Sequence, residues 1–360
     1  MLTRLMEKLK INVPIIQAPM AGVSTPALAA AVSNSGGLGS ISVGAMTVET
    51  ARQAIQETKA LTQQSFNVNV FCHEIPSPAP SKHTAWLKML SPLFNELGTT
   101  PPSDLSEIYL SFNQNEAMLK LLLEMRPAVV SFHFGLPPQH MIKALQEAGI
   151  LLIASATNLH EGRIIEEVNL DAIIAQGYEA GGHRGIFNIT EEDNALGTFA
   201  LTRLLATRLK TPIIAAGGIM DGAGIHAALI LGAQAVSMGT AFIACPESAA
   251  DDNFRAALQS PRAESTIMTS VISGRPARGL PNKLTDFATK VDCPPVPAYP
   301  FAYDAAKALN LAAKSTGSTD FAVQWAGQGA PLARIISAAE LIEILKTELS
   351  NSLKHHSPVC

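Results

Sequence analysis

The chain has 360 residues, of which 47% are hydrophobic, 16% charged and only 5% aromatic. Its 26 basic and 30 acidic side chains give a formal net charge of −4, which excludes a strongly basic surface for nucleic acid. Such an apolar composition also excludes an intrinsically disordered chain. The length allows one large domain or two ordinary ones, with ample residues for a buried core.

Two long stretches, residues 11–48 and 222–246, carry no Asp, Glu, Lys or Arg. Prolines and glycines interrupt both, whereas a membrane-spanning helix needs about 20 mostly apolar residues without such breaks. No membrane span is therefore expected. The N-terminus lacks the features of a signal peptide, and the four scattered cysteines match neither a disulfide framework nor a zinc site. We expect a cytoplasmic protein.

Eight short apolar runs alternate with amphipathic helical stretches. Continuous apolar runs are typical of parallel strands that helices cover on the outside. Eight such repeats predict an α/β fold, a TIM (β/α)8 barrel rather than an open doubly wound sheet. The predicted strands are Ile15–Met20, Leu38–Val43, Phe66–Cys72, Ala128–Phe134, Ile150–Ala156, Ala172–Gly177, Pro212–Gly218 and Ala235–Thr240. The predicted helices between them include Ala51–Leu61, Glu116–Met125, Gln139–Glu147 and Leu201–Leu209.

A proline-rich segment separates the eighth strand from the last helical pattern. We therefore predict a TIM-barrel domain at residues 1–247 and a small, mostly helical substrate-binding domain inserted after strand 8, at 248–320. A closing segment, 321–360, contains the predicted helix Leu332–Leu349 and returns to the barrel. Another excursion, 73–115, follows the third strand. Both excursions leave from the carboxyl ends of strands, where TIM barrels build their active sites.

Polar side chains in otherwise apolar strands are candidate ligands of a planar ring. Asn67 and Asn69 share one face of the third strand, and Gln176 lies at the end of the sixth. Their amides can donate and accept hydrogen bonds, either to a ligand or to a loop backbone. We favour the binding role for Asn69 and Gln176, and the structural role for Asn67.

Two histidines are candidates for proton chemistry. His183 lies in the glycine-rich loop E-A-G-G-H-R-G after the sixth strand, and His133 ends the fourth. An imidazole has an ordinary pKa of about 6.5, which suits a general base at neutral pH. Neither histidine belongs to a spacing typical of metal ligands, so no metal is expected.

Glycines follow the seventh and eighth strands, at Gly217-Gly218 and Gly239. Loops at these positions of a barrel frequently bind phosphate, because glycine lets backbone N–H groups approach an anion. The chain contains neither a P-loop nor a G-x-G-x-x-G with a distal acid, which excludes those nucleotide sites.

Tyr299, Tyr303 and Lys307 are spaced four residues apart. In a helix they would lie on one face, where two phenols and an ammonium suit a small anionic substrate. Packing of the two rings against the barrel explains the same spacing equally well.

Several of these segments, taken together, resemble the nitronate monooxygenases, formerly called 2-nitropropane dioxygenases, and in particular their first class. The resemblance runs in order from about residue 10 to residue 329. The segments that carry it are Gln17–Val23, Asn67–Asn69, Ser131–Gly135, Gln176–Gly185 and Trp325–Gly329. The combination is specific, whereas E-A-G-G-H alone is shared with flavin-dependent enoyl reductases.

The resemblance implies an FMN enzyme and assigns roles by position. Pro19, Met20 and Ala21 would lie against the flavin ring, which Asn69 and Gln176 would hydrogen-bond. Gly181, Gly217, Gly218, Gly239 and Thr240 would hold the phosphate. His183 would be the catalytic histidine, His133 a second active-site histidine, and Tyr109, Tyr299, Tyr303 and Lys307 the substrate cavity. Phe254 stands where the resemblance leads us to expect a cavity tyrosine, so the resemblance does not fix the substrate preference at that position.

The implied activity is the detoxifying oxidation of anionic alkyl nitronates by O2. Propionate 3-nitronate is the expected substrate, and the products would be an oxo acid or aldehyde and nitrite. A neutral nitroalkane must first lose its α proton, for which we expect His183 to be the base. Two alternatives remain: an NAD(P)H-dependent FMN reductase of quinones or enoyl thioesters, and a non-redox phosphate-binding barrel. No predicted strand contains a lysine for Schiff-base chemistry.

Overall fold

The structure is a computed structural model that describes residues 3–77 and 79–355. Its strands are β1 (Ile15–Gln17), β2 (Gly39–Ser42), β3 (Phe66–Phe71), β4 (Val129–His133), β5 (Leu151–Ala156), β6 (Ala172–Gln176), β7 (Gly182–His183), β8 (Ile213–Ala216), β9 (Ala235–Met238), β10 (Ile267–Thr269) and β11 (Ala277–Gly279). Eight of them form one parallel sheet in the order β1-β9-β8-β6-β5-β4-β3-β2. A parallel bridge between Ile16 and Leu38 joins its two edges and closes the barrel.

The predicted TIM barrel is therefore confirmed. Each predicted strand is present, and each observed boundary lies within three residues of the predicted one. The strands are almost fully buried because helices cover them from outside, which explains their continuous apolar sequence.

The helices alternate with the barrel strands and continue through the insertion. They are α1 (Arg4–Leu9), α2 (Pro26–Asn34), α3 (Val48–Leu61), α4 (Pro80–Glu96), α5 (Glu116–Met125), α6 (Gln139–Glu147), α7 (Leu159–Glu167), α8 (Thr198–Arg208), α9 (Gly222–Ile230), α10 (Thr240–Ile243), α11 (Asp252–Leu258), α12 (Lys283–Ala288), α13 (Phe301–Ser315) and α14 (Ala338–His355). Short 3-10 turns lie at Phe112–Gln114, Pro261–Glu264 and Ala330–Leu332. Thr25, Thr47 and Asp221 each begin a helix by accepting a backbone N–H bond, worth about 1 kcal/mol per cap.

The predicted start of the last helix is wrong. Residues Ala330–Leu332 form a 3-10 turn, and the helix begins only at Ala338. The physical reason is a cap: the Ser337 hydroxyl accepts a hydrogen bond from the Glu340 N–H. The Glu247 carboxylate also accepts from the Ala338 N–H, which satisfies a second free donor of the first turn.

The amino end of the barrel is closed by α1. Leu5, Met6 and Leu9 are buried in one cluster with residues at the starts of strands, such as Leu38 and Val129. The opposite, carboxyl end is covered differently. There α4 of the first excursion packs against α13 of the insertion.

The insertion contains α11, α12 and α13, together with two short strands that we did not predict. β10 pairs antiparallel with β11, and β11 pairs antiparallel with β7, which follows barrel strand β6. The register places Ala277 opposite His183. This small sheet ties the candidate base directly to the insertion. The division of the chain at residues 247 and 320 stays a prediction.

Among the described residues, no helix combines the length and the apolar character needed to cross a bilayer.

Candidate active site

A cavity of about 750 Å³ opens at the carboxyl ends of the barrel strands. Its volume lies within the range of about 300–1,000 Å³ that is typical of small-molecule and cofactor sites. All the candidate site residues line it: Pro19, Met20, Ala21, Asn69, Tyr109, His133, Gln176, Gly181, His183, Gly217, Gly218, Gly239, Thr240, Tyr299, Tyr303 and Lys307. Asn67 does not line it; instead its amide donates to the hydroxyls of Ser40 and Ser131.

Two glycines, Gly181 after β6 and Gly217 after β8, have no room for a side chain. Gly217 has φ +120°, and a Cβ there would lie 2.6 Å from Thr198 Oγ1. A Cβ on Gly181 would lie 2.5 Å from the backbone nitrogen of Gly327. These close approaches leave the wall of the cavity as bare backbone, which is the arrangement that holds a phosphate through N–H groups.

Amide side chains line the adjacent part of the cavity. Asn69 is buried, and its amide nitrogen donates to Ser131, while Gln176 donates to the His183 carbonyl oxygen at 2.9 Å. The buried Gln324 Oε1 has no hydrogen-bond partner and is an acceptor for a ring N–H. The bare glycine wall and this unpaired acceptor together fit a ligand that combines a phosphate with a planar ring, as FMN does.

His183 is held by the small sheet and lines the cavity. Its Nε2 atom lies 2.9 Å from the hydroxyl oxygen of Ser273. Burial, with smaller contributions from the nearby His133 and Arg275, lowers the pKa of His183 to about 3. The imidazole is therefore neutral at physiological pH and can accept a proton.

His133 is bound at both ring nitrogens. Nε2 lies 3.1 Å from the His183 carbonyl oxygen, and Nδ1 lies 2.9 Å from Ser155 Oγ. Since a carbonyl oxygen only accepts, Nε2 carries the hydrogen and the Ser155 hydroxyl donates to Nδ1. Burial lowers the pKa of His133 to about 4. The geometry suits this histidine to positioning the loop of His183.

A buried guanidinium lies behind the histidines. The Arg275 carbon Cζ lies 4.4 Å from the centre of the Phe134 ring, and that ring contacts both His133 and His183. Arg275 is 2% exposed, and burial lowers its pKa to about 10. It therefore remains a cation at neutral pH and opposes a second positive charge on the imidazoles.

Two tyrosines flank a lysine that also lines the cavity. Lys307 Nζ lies 4.8 Å from the ring centre of Tyr109 and 5.4 Å from that of Tyr303. The Trp325 N–H donates to Tyr303 Oη at 3.2 Å, which leaves the Tyr303 hydrogen available to a ligand. Burial raises the pKa of both Tyr109 and Tyr303 to about 12, so both stay protonated donors.

Tyr299, Tyr303 and Lys307 all line the cavity, although the three do not share one helix. Tyr299 lies two residues before α13, in contact with Tyr109 and His183. Tyr303 and Lys307 lie within the helix. The cation, the phenols and the imidazole thus face one compartment.

Comparison with known sequences identifies the protein family. A family model described as nitronate monooxygenase matches residues 2–348. The chain belongs to the nitronate monooxygenase family. Proteins named nitronate monooxygenase from Pseudomonas aeruginosa and Paraburkholderia phytofirmans are each 55% identical, over 97% of this chain and 99% and 96% of their own lengths.

Two solved structures are similar to the chain over nearly its whole length. A nitroalkane oxidase from Streptomyces ansochromogenes is 36% identical with a TM-score of 0.90, covering 98% of this chain and all of that one. FabK from Thermotoga maritima is 30% identical with a TM-score of 0.76, covering 99% and 98%. As a member of the nitronate monooxygenase family, the protein is an oxidoreductase.

Several residues of this family member's site were missed by the sequence analysis. His73, Ser273 and Arg275 are buried around His183, and Gln324 and Trp325 line the cavity. Trp325 belongs to the W-A-G-Q-G segment and could have been identified from it. The others carry no spacing signal, because they reach the site only through the fold of the first excursion, the insertion or the closing segment.

Among residues 3–77 and 79–355, no group of three or more His, Cys, Asp and Glu side chains has an arrangement that could hold a metal ion.

Proposed function

We propose that the protein binds FMN and oxidises alkyl nitronates with O2, giving an aldehyde or oxo acid and nitrite. In net terms, two nitronates and one O2 give two carbonyl compounds and two nitrites. Propionate 3-nitronate is the proposed substrate, and its removal in the cytoplasm would be a detoxification. Membership of the nitronate monooxygenase family supports the reaction class.

The observation that carries the proposal is the presence of a cation, Lys307, and a neutral base, His183, in a single aromatic cavity. Lys307 lies among phenol rings, and its charge offsets the desolvation of an anionic substrate. Tyr303 offers a free O–H donor beside it. A carboxylate or nitronate oxygen finds both a charge and a hydrogen bond here.

FMN would be held at two ends. Gly181, Gly217, Gly218, Gly239 and Thr240 would surround the phosphate, and Pro19, Met20, Ala21, Asn69 and Gln176 would lie at the ring. When bound, FMN supplies the electron acceptor that nitronate oxidation needs. The residues of 248–320 would then supply Tyr299, Tyr303 and Lys307 from the opposite side, as a substrate-binding unit.

When the substrate is a neutral nitroalkane, the protein itself must remove the α proton before oxidation. His183 is neutral because burial depresses its pKa, and it contacts Tyr299 and Trp325 of the substrate compartment. A nitronate has already lost this proton and needs no base. His183 is therefore required for nitroalkanes and dispensable for nitronates.

Visible spectroscopy and oxygen uptake test the proposal together. The purified protein should show flavin absorption, release FMN on denaturation, and consume O2 while forming nitrite from propionate 3-nitronate. A colourless protein, or a flavoprotein that leaves the nitronate unchanged, would contradict it.

The similarity to FabK supports one second candidate, an NAD(P)H-dependent reductase of quinones or enoyl thioesters. Anaerobic mixing separates the two functions. Rapid loss of flavin colour with NADH or NADPH favours the reductase. A spectral change with the nitronate, and none with either nicotinamide, favours nitronate oxidation.

A further inference from the structure

Ser273 is the only protein group that hydrogen-bonds the His183 ring among the described residues. It is fully buried in the turn between β10 and β11, and its Oγ lies 2.9 Å from His183 Nε2. Because β11 pairs with β7, the turn and the histidine are held in one small sheet. The insertion therefore sets the position of this ring.

The hydrogen bonds of Ser273 determine which partner donates. A hydroxyl has one hydrogen and two lone pairs. The Ser273 hydrogen goes to the Arg275 carbonyl oxygen at 3.1 Å, which can only accept. The Arg275 backbone N–H donates to Ser273 Oγ at 3.4 Å. With the hydroxyl hydrogen on the Arg275 carbonyl oxygen, the remaining lone pair of Ser273 accepts, and His183 Nε2 supplies the hydrogen of this contact.

We propose that Ser273 fixes His183 in the tautomer with hydrogen on Nε2, so that Nδ1 is the atom that removes the α proton of a neutral nitroalkane. The tautomer follows from the hydrogen bonds alone, whereas the identity of the substrate rests on the proposed function. Ser273 is a positioning residue, since it acts through the imidazole.

The surroundings of Nδ1 agree with this role. No described residue hydrogen-bonds His183 Nδ1, and the atom is not among the buried unpaired ones, so it is open to the cavity that His183 lines. His133 differs, because both of its nitrogens are bound to protein. Of these two histidines, only His183 has a lone pair available to a substrate.

In this arrangement the proton moves from the α carbon of the nitroalkane to His183 Nδ1. The C–H bond at the α carbon breaks, its electron pair moves into the nitro group, and an N–H bond forms at Nδ1. The ring becomes an imidazolium whose second N–H still donates to Ser273 Oγ. Because Ser273 accepts in both states, neither side chain has to rotate during the transfer. The imidazolium then returns its Nδ1 proton to water.

The opposite tautomer is incompatible with the same contacts. A bare Nε2 would face the lone pairs of Ser273, unless the hydroxyl turned away from the Arg275 carbonyl oxygen. That carbonyl would then lose its donor from a fully buried group, which is unfavourable. The backbone of the turn thus decides the protonation site of the base.

Nitrogen-15 NMR of the flavin-loaded enzyme with labelled histidine rings tests the tautomer directly. The His183 signals are identified by their absence in His183→Asn. We expect a hydrogen on Nε2 and a bare Nδ1 in the wild-type protein at pH 7. A hydrogen on Nδ1 overturns the proposal, and this readout needs neither activity nor a stable serine variant.

Two serine variants, compared by the same NMR signals, test which histidine each serine positions. Ser273→Ala removes the acceptor and should change the His183 ring signals, whereas Ser155→Ala should change those of His133 alone. Unchanged His183 signals in Ser273→Ala would overturn the positioning role.

Kinetics give a second, independent readout. Ser273→Ala should lower kcat for freshly dissolved nitroethane about tenfold or more, while kcat for ethyl nitronate changes by less than about twofold. Ser273→Thr keeps the hydroxyl and should restore much of the nitroethane rate. Ser33→Ala, which removes another buried serine hydroxyl on α2, controls for a general loss of stability.

An equal loss on both substrates in Ser273→Ala would overturn the positioning role and indicate a structural one. A wild-type enzyme that turns over neither substrate would instead contradict the proposed function, and the NMR result would still decide the tautomer.

Discussion

His133 Nε2 lies 3.1 Å from the carbonyl oxygen of His183 and donates to it. The Gln176 amide donates to the same oxygen at 2.9 Å. Two barrel strands, β4 and β6, thus fix the backbone of the residue whose side chain we propose as the base. Ser273 fixes the ring from the insertion. Backbone and side chain of His183 are positioned by different parts of the chain, so both parts must dock before the site is complete.

Gly217→Ala should weaken flavin binding. Gly217 has φ +120°, and an added Cβ would lie 2.6 Å from Thr198 Oγ1 and 3.0 Å from the Ala180 nitrogen. Strain of this kind costs about 1–3 kcal/mol, or roughly 5- to 150-fold in binding if the loop shifts. The measurement is flavin Kd by fluorescence. Gly224→Ala in α9, where the nearest atoms lie 3.4 Å away, should leave Kd unchanged.

Lys307→Met should separate carboxylated from simple substrates. The methionine keeps most of the stem but removes the charge between Tyr109 and Tyr303. A charge-assisted hydrogen bond is worth about 1.5–3 kcal/mol, so KM for propionate 3-nitronate should rise about 10- to 150-fold. KM for ethyl nitronate should rise much less, and the exposed Lys290→Met is the control. Equal increases for both substrates would show that Lys307 binds the nitronate group instead.

The barrel and many of the residues that line its cavity could be predicted because both signals are local. A buried strand such as Ala172–Gln176 is a continuous apolar run, and a polar residue at its end marks the carboxyl side of the barrel. Glycine pairs such as Gly217-Gly218 mark backbone that approaches a ligand closely.

The contacts that position the base could not be predicted. Ser273 is 90 residues from His183, and the two-residue strand β7 is too short to show a period. No sequence feature around Arg275 predicts that its guanidinium is buried over the Phe134 ring. These relationships arise when the insertion folds back on the barrel, and no spacing along the chain encodes them.

His73 should make the folded protein sensitive to acid. It is 1% exposed, and burial, with a smaller contribution from Arg275, lowers its pKa from 6.5 to about 4. Between pH 4 and pH 6.5 the unfolded chain therefore binds more protons at His73 than the folded protein does. The contribution of this residue to stability is fully present above pH 6.5 and is lost as the pH drops towards 4. For this one group, the free energy of unfolding falls by up to about 1.4 kcal/mol for each pH unit.

Urea unfolding of the flavin-loaded enzyme at pH 7.5 and pH 4.5 measures this effect. His73→Phe should lose less stability between the two pH values than the wild type, although His133 and His183 still contribute with the same sign. The exposed His140→Gln should behave like the wild type. An identical pH dependence in His73→Phe and the wild type would contradict the assignment.

His183→Asn should abolish turnover of neutral nitroethane while keeping that of ethyl nitronate. General bases contribute about 10²- to 10⁴-fold, so kcat for nitroethane should fall by that factor.

The pH profile of the wild type provides the second measurement. Burial, then the charges of His133, Arg275 and His73, lower the pKa of His183 to about 3. The base must be unprotonated, so the nitroethane rate should stay constant as the pH falls through 6.5 and decrease only near pH 4 and below. A rate that halves near pH 6.5 would show that His183 keeps an ordinary pKa in the working enzyme, and an unchanged nitroethane rate in His183→Asn would exclude it as the base.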